Sequence, residues 1–185
     1  YCALLGLPDD LILNVTDGKN AFLVAKNTDG VILQGEEDIV DANRRNKIDS
    51  IYLLSQTDAA KLGKLKALKD TALKLNPKVK ECIAGADLIV YSPGTQHSSL
   101  FPSYMTPGMG ELLAANTRAL KLLITNIHED SEITGAAATD IIQKARHYLQ
   151  KKGTNSLPEP ALITHYIINR PEQSTLYDNY ILEGE

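Results

Sequence analysis

Apolar residues change their spacing along the chain, and this change predicts where strands give way to helices. Apolar runs at residues 22–26 and 31–34 flank the tetrapeptide Asn27-Thr28-Asp29-Gly30. This arrangement predicts a hairpin, because Asn and Asp tolerate turn conformations and Gly supplies a positive φ. A further apolar run at residues 48–54 is rich in strand formers. We therefore predict mainly β-structure over residues 11–55.

Beyond residue 55, helical and strand-like patterns alternate. Apolar residues spaced by three or four positions indicate amphipathic helices, and short continuous apolar runs indicate buried strands. The predicted elements are helices at 58–76, 79–84, 97–104, 107–118 and 134–151 and strands at 86–91, 120–125 and 162–168. Strands that alternate with helices in this way predict βαβ crossovers and a parallel sheet.

Composition is typical of an ordinary globular protein. The 185 residues correspond to one domain, since domains run to roughly 100–200 residues. Hydrophobic residues make up 43% and charged residues 23%, which excludes collagen-like, coiled-coil and bulk-disordered classes. The net charge of −4 argues against a general nucleic-acid binder, which would carry a basic excess. We interpret the seven lysines between residues 61 and 80 as a solvated face, because no Arg or aromatic residue interleaves with them.

Three features bear on the surroundings of the protein. Cys2 and Cys82 are too few and too far apart for a disulfide framework or a zinc cluster, which favours a reducing, cytoplasmic compartment. No apolar run approaches the roughly 18 residues that suggest a membrane span, so no membrane partner is expected. The chain opens at Tyr1 rather than Met, which leads us to expect that it belongs to a longer parent protein.

A polar loop follows the predicted strand at 86–91. It reads Ser-Pro-Gly-Thr-Gln-His-Ser-Ser over residues 92–99. Ligands of open α/β sheets bind at the carboxyl ends of strands, and here Gly allows close backbone approach while the neighbouring side chains offer polar groups. The N–H groups of a following helix would favour phosphate at the same place. The alternative is an ordinary helix cap rich in Ser and Thr, and the spacing leaves both open.

A second polar loop, residues 126–132, follows the next predicted strand. It places Glu129, Asp130 and Glu132 within four positions. Because Mg²⁺ binds through one or two carboxylates together with substrate phosphates, this loop is a candidate magnesium site. The same acids also suit a solvated loop before a helix, where negative charge is favourable. Both interpretations stay open at this point.

The first loop lies within a longer motif. Residues 86–113 read A-D-L-I-V-Y-S-P-G-T-Q-H-S-S-L-F-P-S-Y-M-T-P-G-M-G-E-L-L. This stretch resembles the signature of the CofD-like family, which includes 2-phospho-L-lactate transferase and the gluconeogenesis factors. The matching positions are Pro93, Gly94, Ser99, Pro102, Pro107, Gly108 and Glu111. Residues 29–39 are similar to the family's β-hairpin, and Asn126, Glu132 and Asp140 match polar residues of its second loop and the helix after it.

The chain also departs from the family pattern. Ser92 stands where the family has its first Gly, and residues 95–97 replace the family's Ser-Leu-Tyr. The Gly-rich strand–loop–helix with which the family begins has no counterpart in this sequence, and residues 56–80 are expected to be an insertion. We therefore expect residues 1–185 to form a single CofD-like α/β domain that is incomplete at its N-terminus.

The resemblance implies a fold and a ligand class. The fold is a Rossmann-like three-layer α/β sandwich with a mostly parallel sheet and a β-hairpin, lacking the N-terminal strand–loop–helix. The ligand is a nucleotide or a nucleotide-sugar phosphate. The residues implied to bind it are Gly94, Thr95, Gln96, His97, Ser98, Ser99 and Asn126.

The two branches of the family imply different functions. The transferase branch moves a phospholactyl group from an activated guanosine diphospho donor to a deazaflavin hydroxyl with Mg²⁺, for which Asp130 and Glu132 are the candidate ligands here. The gluconeogenesis-factor branch implies a non-catalytic regulator that binds a nucleotide sugar. A homo-oligomer with a small-molecule partner is expected in either case.

Overall fold

The computed structural model describes residues 2–8, 11–41, 47–55, 70–127 and 131–169. Two three-stranded sheets form its framework, one antiparallel with the order β2-β1-β3 and one parallel with the order β4-β5-β6. The strands are β1 (Phe22–Asn27), β2 (Ile32–Gln34), β3 (Ile48–Leu54), β4 (Leu88–Tyr91), β5 (Leu120–Ile124) and β6 (His165–Ile167). The helices are α1 (Glu36–Val40), α2 (Pro77–Gly85), α3 (Phe101–Tyr104), α4 (Met109–Ala115), α5 (Ala138–Leu149) and α6 (Glu159–Leu162). A 3₁₀ turn lies at Ala3–Leu5 and a π-helical turn at Gln96–Leu100. The predicted mixed α/β fold with a parallel sheet is confirmed.

The predicted hairpin is confirmed as well, and the Asn27 side chain builds its turn. Asn27 Oδ1 accepts hydrogen bonds from the N–H groups of Asp29 (3.0 Å) and Val31 (2.8 Å). β1 then pairs with β3 on its other side, where Ala25 lies opposite Ile51 and both side chains are fully buried. Strand β3 therefore completes the antiparallel sheet and does not join the parallel one.

The parallel sheet carries the two polar loops. Its central strand is β5, in which Leu122 pairs with Val90 of β4 and with His165 of β6. Tyr91 and Leu123 point into the core and are buried. The opposite face leaves exposed the apolar residues Leu88, Val90, Leu120 and Ile167. Because β4 and β5 are parallel neighbours, the loops that follow them lie side by side at one edge of the sheet.

Helix α5 joins the two sheets across a shared core. The Tyr148 hydroxyl accepts the N–H of Ile51 in β3 at 3.1 Å. The Tyr148 ring stacks on Phe101 of α3 with centroids 4.5 Å apart, and both side chains are fully buried. Burial raises the pKa of the Tyr148 hydroxyl above its ordinary value. The hydroxyl therefore stays neutral and acts as a fixed acceptor between helix and strand.

Helix α4 approaches the end of α5 closely at Gly110. A Cβ at this position would overlap the Leu149 carbonyl oxygen and lie 3.1 Å from Leu157 Cδ1. The φ of Gly110 is not in the left-handed region, so its backbone conformation does not require glycine. The lack of space for a Cβ does.

The end of the predicted helix at 58–76 is not helical, and the earlier part, residues 58–69, lies outside the described residues. Leu75 forms an isolated antiparallel bridge with Thr16. Leu73 and Leu75 are buried, whereas Lys74 between them is exposed. This prediction was therefore wrong over residues 70–76, because the leucines there alternate as in an extended strand and do not continue the helical stripe.

Other boundaries shift by a few residues. The helix predicted at 134–151 begins at Ala138, because the preceding residues form turns, and the strand predicted at 162–168 begins at His165, because Leu162 ends α6. The single domain and the insertion at 56–80 stay predictions. Within the described ranges, none of the helices has the length and apolar character needed to cross a membrane.

Candidate functional site

The loop after β4 is closed on itself by an asparagine from the loop after β5. Asn126 Oδ1 accepts the N–H of Gly94 at 3.2 Å, and Asn126 Nδ2 donates to the Gly94 carbonyl at 3.1 Å. Gln96 Nε2 donates to the same Asn126 oxygen at 3.2 Å and to the Gly94 carbonyl at 3.0 Å. These three predicted site residues therefore come together and fix the loop backbone.

Glu132 holds the N-terminal end of the π-helical turn. Its Oε2 accepts the N–H of His97 and, at 3.2 Å, the N–H of Ser98. The Glu132 side chain is fully buried. The two N–H groups that the sequence suggested could face a phosphate thus donate to a carboxylate of the chain itself. Hydrogen bonds to a charged acceptor are stronger than those to a neutral one.

Three hydroxyls cluster on the outer side of the same turn. Thr95 Oγ1 lies 2.7 Å from Ser99 Oγ, and Ser98 Oγ lies 3.4 Å from Ser99 Oγ. Ser99 is exposed, and the other two are half-buried. The hydroxyls therefore border solvent, while Gln96 and His97 point inward and are buried.

A cavity of about 560 Å³ opens beside the buried side of the turn. This volume lies within the roughly 300–1,000 Å³ of small-molecule pockets. Its polar lining includes Lys47, Gln96, His97, Glu132, Asp140, Lys144 and His147, and its apolar lining includes Phe101, Ile133 and Ile141. The cavity thus combines a polar wall, which holds two lysines and two carboxylates, with an apolar wall next to the predicted loop.

His97 is the buried link between the turn and helix α5. Its ring lies edge-on to Phe101, with centroids 5.1 Å apart, and only 1% of the residue is exposed. Its Nδ1 lies 3.7 Å from Glu132 Oε2, and its Nε2 lies 3.1 Å from Lys144 Nζ. Lys144 Nζ also donates to the Ile48 carbonyl at 2.6 Å. The turn, α5 and β3 are therefore joined through His97 and Lys144.

The surroundings of His147, which also lines the cavity, disfavour its protonated form. Burial lowers its pKa, and the positive charges of Lys152 and Lys144 lower it further, against a weaker opposing effect of Asp49. The imidazole is therefore neutral near neutral pH. It can accept or donate a hydrogen bond but adds no full charge.

Only part of the predicted magnesium site lies within the described residues. Asp130 and Glu129 lie outside the described residues. Among the residues that are described, no group of three or more His, Cys, Asp or Glu side chains could hold a metal ion. Glu132 Oε2 is shared between two N–H groups, and Asp140 Oδ2 accepts the Ala137 N–H at the start of α5. One oxygen of each carboxylate therefore organises the backbone, and the magnesium role of Asp130 and Glu132 stays a prediction.

Sequence reasoning missed Lys47, Lys144 and His147 as residues of the cavity lining. Lys144 and His147 follow Asp140, which the family resemblance had matched, at spacings of four and three residues, so the three share one face of α5. That spacing was visible in the sequence. Lys47 precedes a strand on the opposite sheet, and nothing in the sequence indicates that it reaches the same cavity.

Comparison with known proteins gives one family match and several relatives. A family model described as 2-phospho-L-lactate transferase CofD matches residues 8–185. The gluconeogenesis factor of Halalkalibacterium halodurans is 24% identical over 187 residues, which cover 90% of this chain and 52% of that protein. A curated relative from Aquifex aeolicus is 27% identical over 110 residues, which cover 59% of this chain and 29% of that protein. The chain thus spans about half or less of the length of these relatives.

A solved structure shares the fold. The X-ray structure of a Bacillus halodurans protein matches with a TM-score of 0.61 and 25% identity over 88% of this chain and 44% of that one. A second crystal structure from the same organism, of a member of the UPF0052 family, matches with a TM-score of 0.55 and 26% identity over 71% of this chain and 37% of that one.

Proposed function

The chain belongs to the CofD family, and from this premise we propose that it binds a nucleotide or a nucleotide-sugar phosphate in the cavity beside residues 92–99. The observation that carries the proposal is the position of that cavity, which is lined by Gln96 and His97 of the loop and by Lys144 of α5. The ammonium groups of Lys47 and Lys144 within the polar wall favour phosphate, and the apolar wall around Phe101 and Ile141 suits the less polar part of such a ligand.

The loop supports this proposal because it is held in place before a ligand arrives. Asn126 ties Gly94, and Glu132 ties the amides of His97 and Ser98. A preorganised site loses less conformational entropy on binding than a mobile one. The hydroxyl cluster at Ser99 lies on the outer side of the turn and is not part of the cavity lining.

Thermal unfolding of the full chain with GDP-linked and UDP-linked ligands tests the proposal. Binding to the native state alone stabilises it by about 2.7 kcal/mol at a ligand concentration of 100 Kd. For a chain of this size we expect the melting temperature to rise by about 5–10 °C. Sulfate at equal ionic strength serves as the control. If no such ligand raises the melting temperature at millimolar concentration, the proposal fails.

Within this ligand class, two functions differ in whether chemistry follows binding. The family model's description favours transfer of a phosphorus-containing group, and the name of the Halalkalibacterium halodurans relative favours a gluconeogenesis-factor-like regulator. In the transferase form, a Mg²⁺ ion would supply charge neutralisation at the phosphates. Its candidate ligands are Asp130 and Glu132 of the second loop.

Phosphorus NMR separates the two functions. The full chain is mixed with a guanosine diphospho donor, a deazaflavin acceptor and Mg²⁺. New phosphorus resonances that grow with time support the transferase. Binding without any new resonance supports the regulator.

A further inference from the structure

We propose that Lys144 contacts a phosphate of the nucleotide ligand and thereby selects phosphorylated ligands over their nucleosides, with His97 and Glu132 as positioning residues behind it. This inference rests on the proposed function, because it concerns the same cavity.

Two contacts from different elements fix the Lys144 ammonium at the cavity wall. Its Nζ donates to the Ile48 carbonyl at the start of β3 at 2.6 Å, and it lies 3.1 Å from His97 Nε2. The side chain is half-buried and lines the cavity. Lys144 therefore presents its charge at a defined position, in contrast to a lysine that moves freely in solvent.

The protonation of His97 follows from this geometry. An ammonium group can only donate, so His97 Nε2 is the acceptor and the ring proton lies on Nδ1. Nδ1 is the nitrogen that faces Glu132 Oε2, 3.7 Å away. The same carboxylate oxygen accepts the N–H groups of His97 and Ser98. A continuous chain of polar contacts thus runs from the loop amides through Glu132 and His97 to Lys144.

The charged groups around Lys144 determine which part of the cavity suits an anion. Lys47 lines the same cavity, and its Nζ donates to the Gly135 carbonyl at 3.2 Å. Asp140 lies one helical turn before Lys144, and its carboxylate accepts the Ala137 N–H. Lysine binds phosphate as a point charge. Glu132 and Asp140 also line the cavity and balance the formal charge of the two lysines, but both carboxylates accept backbone N–H groups. The positive charge that would face a phosphate is therefore local to the Lys47 and Lys144 ammonium groups.

A purely structural role for Lys144 makes a different prediction. Its bond to Ile48 could serve only to hold α5 against β3. Loss of such a bond would lower stability and weaken every ligand in the cavity together. Loss of a phosphate contact would instead weaken phosphorylated ligands selectively, so the ratio of two affinities separates the roles.

The test is calorimetric titration of the full chain with GDP against guanosine and with UDP against uridine. Lys144→Met removes the charge and keeps much of the side-chain volume, and Lys144→Arg keeps the charge. Lys78→Met, at an exposed lysine of α2, is the matched control. We expect Lys144→Met to lower the diphosphate-to-nucleoside affinity ratio about tenfold or more, since it removes a charge-assisted contact. Lys144→Arg is expected to restore most of the ratio, and Lys78→Met to leave it unchanged. His97→Gln is expected to lower the ratio by less than Lys144→Met does.

The outcomes separate this inference from the proposed function. If the unsubstituted chain binds none of the four probes, the proposed function itself fails. If it prefers diphosphates and Lys144→Met keeps the same ratio, the phosphate contact is refuted and the cavity proposal stands. The salt dependence of the unsubstituted chain gives a second measurement that needs no variant. Affinity for the diphosphate should fall with added salt, and affinity for the nucleoside should not. If the two affinities depend equally on salt, the inference is contradicted.

Discussion

Replacement of Glu132 by alanine removes the acceptor that two N–H groups of the loop share. The side chain is fully buried but lines the cavity, so a water that enters from the cavity would bring the cost towards its lower limit. A buried donor left without an acceptor costs about 1–3 kcal/mol, so the two N–H groups of His97 and Ser98 together cost about 2–6 kcal/mol. Glu132→Gln keeps an oxygen acceptor but loses the charge, which costs about 0.5–2 kcal/mol for each bond.

Urea denaturation of the full chain in the presence of EDTA measures these differences without a metal contribution. Glu81→Ala, at an exposed carboxylate of α2, is the control and should change the unfolding free energy by no more than about 0.5 kcal/mol. The expected order of stability is unsubstituted, then Gln, then Ala at position 132. An alanine variant as stable as the control would refute the organising role of Glu132. A loss of stability seen only with Mg²⁺ would instead identify Glu132 as a metal ligand.

Three further predictions concern the loop, the helix contact and the cavity. Gly94→Ala adds a Cβ in ordinary contact with Leu100 at 3.7 Å and should keep nucleotide affinity. Gly94→Asp adds a charge that repels phosphate and should lower that affinity. If calorimetry gives the two variants equal nucleotide affinity, the loop is not part of the phosphate site. Gly110→Ala should lower the unfolding free energy by about 1–3 kcal/mol because its Cβ overlaps the Leu149 carbonyl, and an unchanged urea midpoint would show that α4 moves freely. Because burial lowers the pKa of His147 from 6.5, the unfolded chain takes up this proton first, so stability should fall as the pH drops through about 6.5. His147→Gln should flatten that dependence, and an identical pH profile for the variant would contradict the effect.

Local sequence signals predicted the elements that local interactions decide. The hairpin follows from Asn27, whose own side chain bonds the turn. The loop at 92–99 follows from its position between an apolar run and a helical pattern, and Asn126 follows a strand at the same sheet edge. Each of these features needs only neighbours within a few residues or the general rule for parallel strands.

Contacts between distant residues could not be predicted in the same way. Lys144 meets Ile48 across 96 positions of the sequence, and no periodicity encodes that pair. Leu75 fits the spacing of the predicted helical stripe, but Leu73 does not, and the burial of both leucines accompanies the extended form. The contact of Glu132 Oε2 with the amides of the loop after β4 was not predicted, and its metal role stays a prediction. Contacts such as those of Lys144 and Glu132 depend on which buried donor needs an acceptor, and this is known only from the packed structure.

Amide chemical shifts of the ¹⁵N-labelled full chain, followed while GDP or UDP is added, locate the nucleotide site in one experiment. A nucleotide bound in the cavity beside residues 92–99 predicts saturable shifts concentrated at residues 94–99 and along the cavity face of α5 around Lys144. Shifts confined to another surface, such as the exposed face of β4 at Leu88 and Val90, would contradict a nucleotide site at this loop. The absence of any saturable shift would contradict it equally.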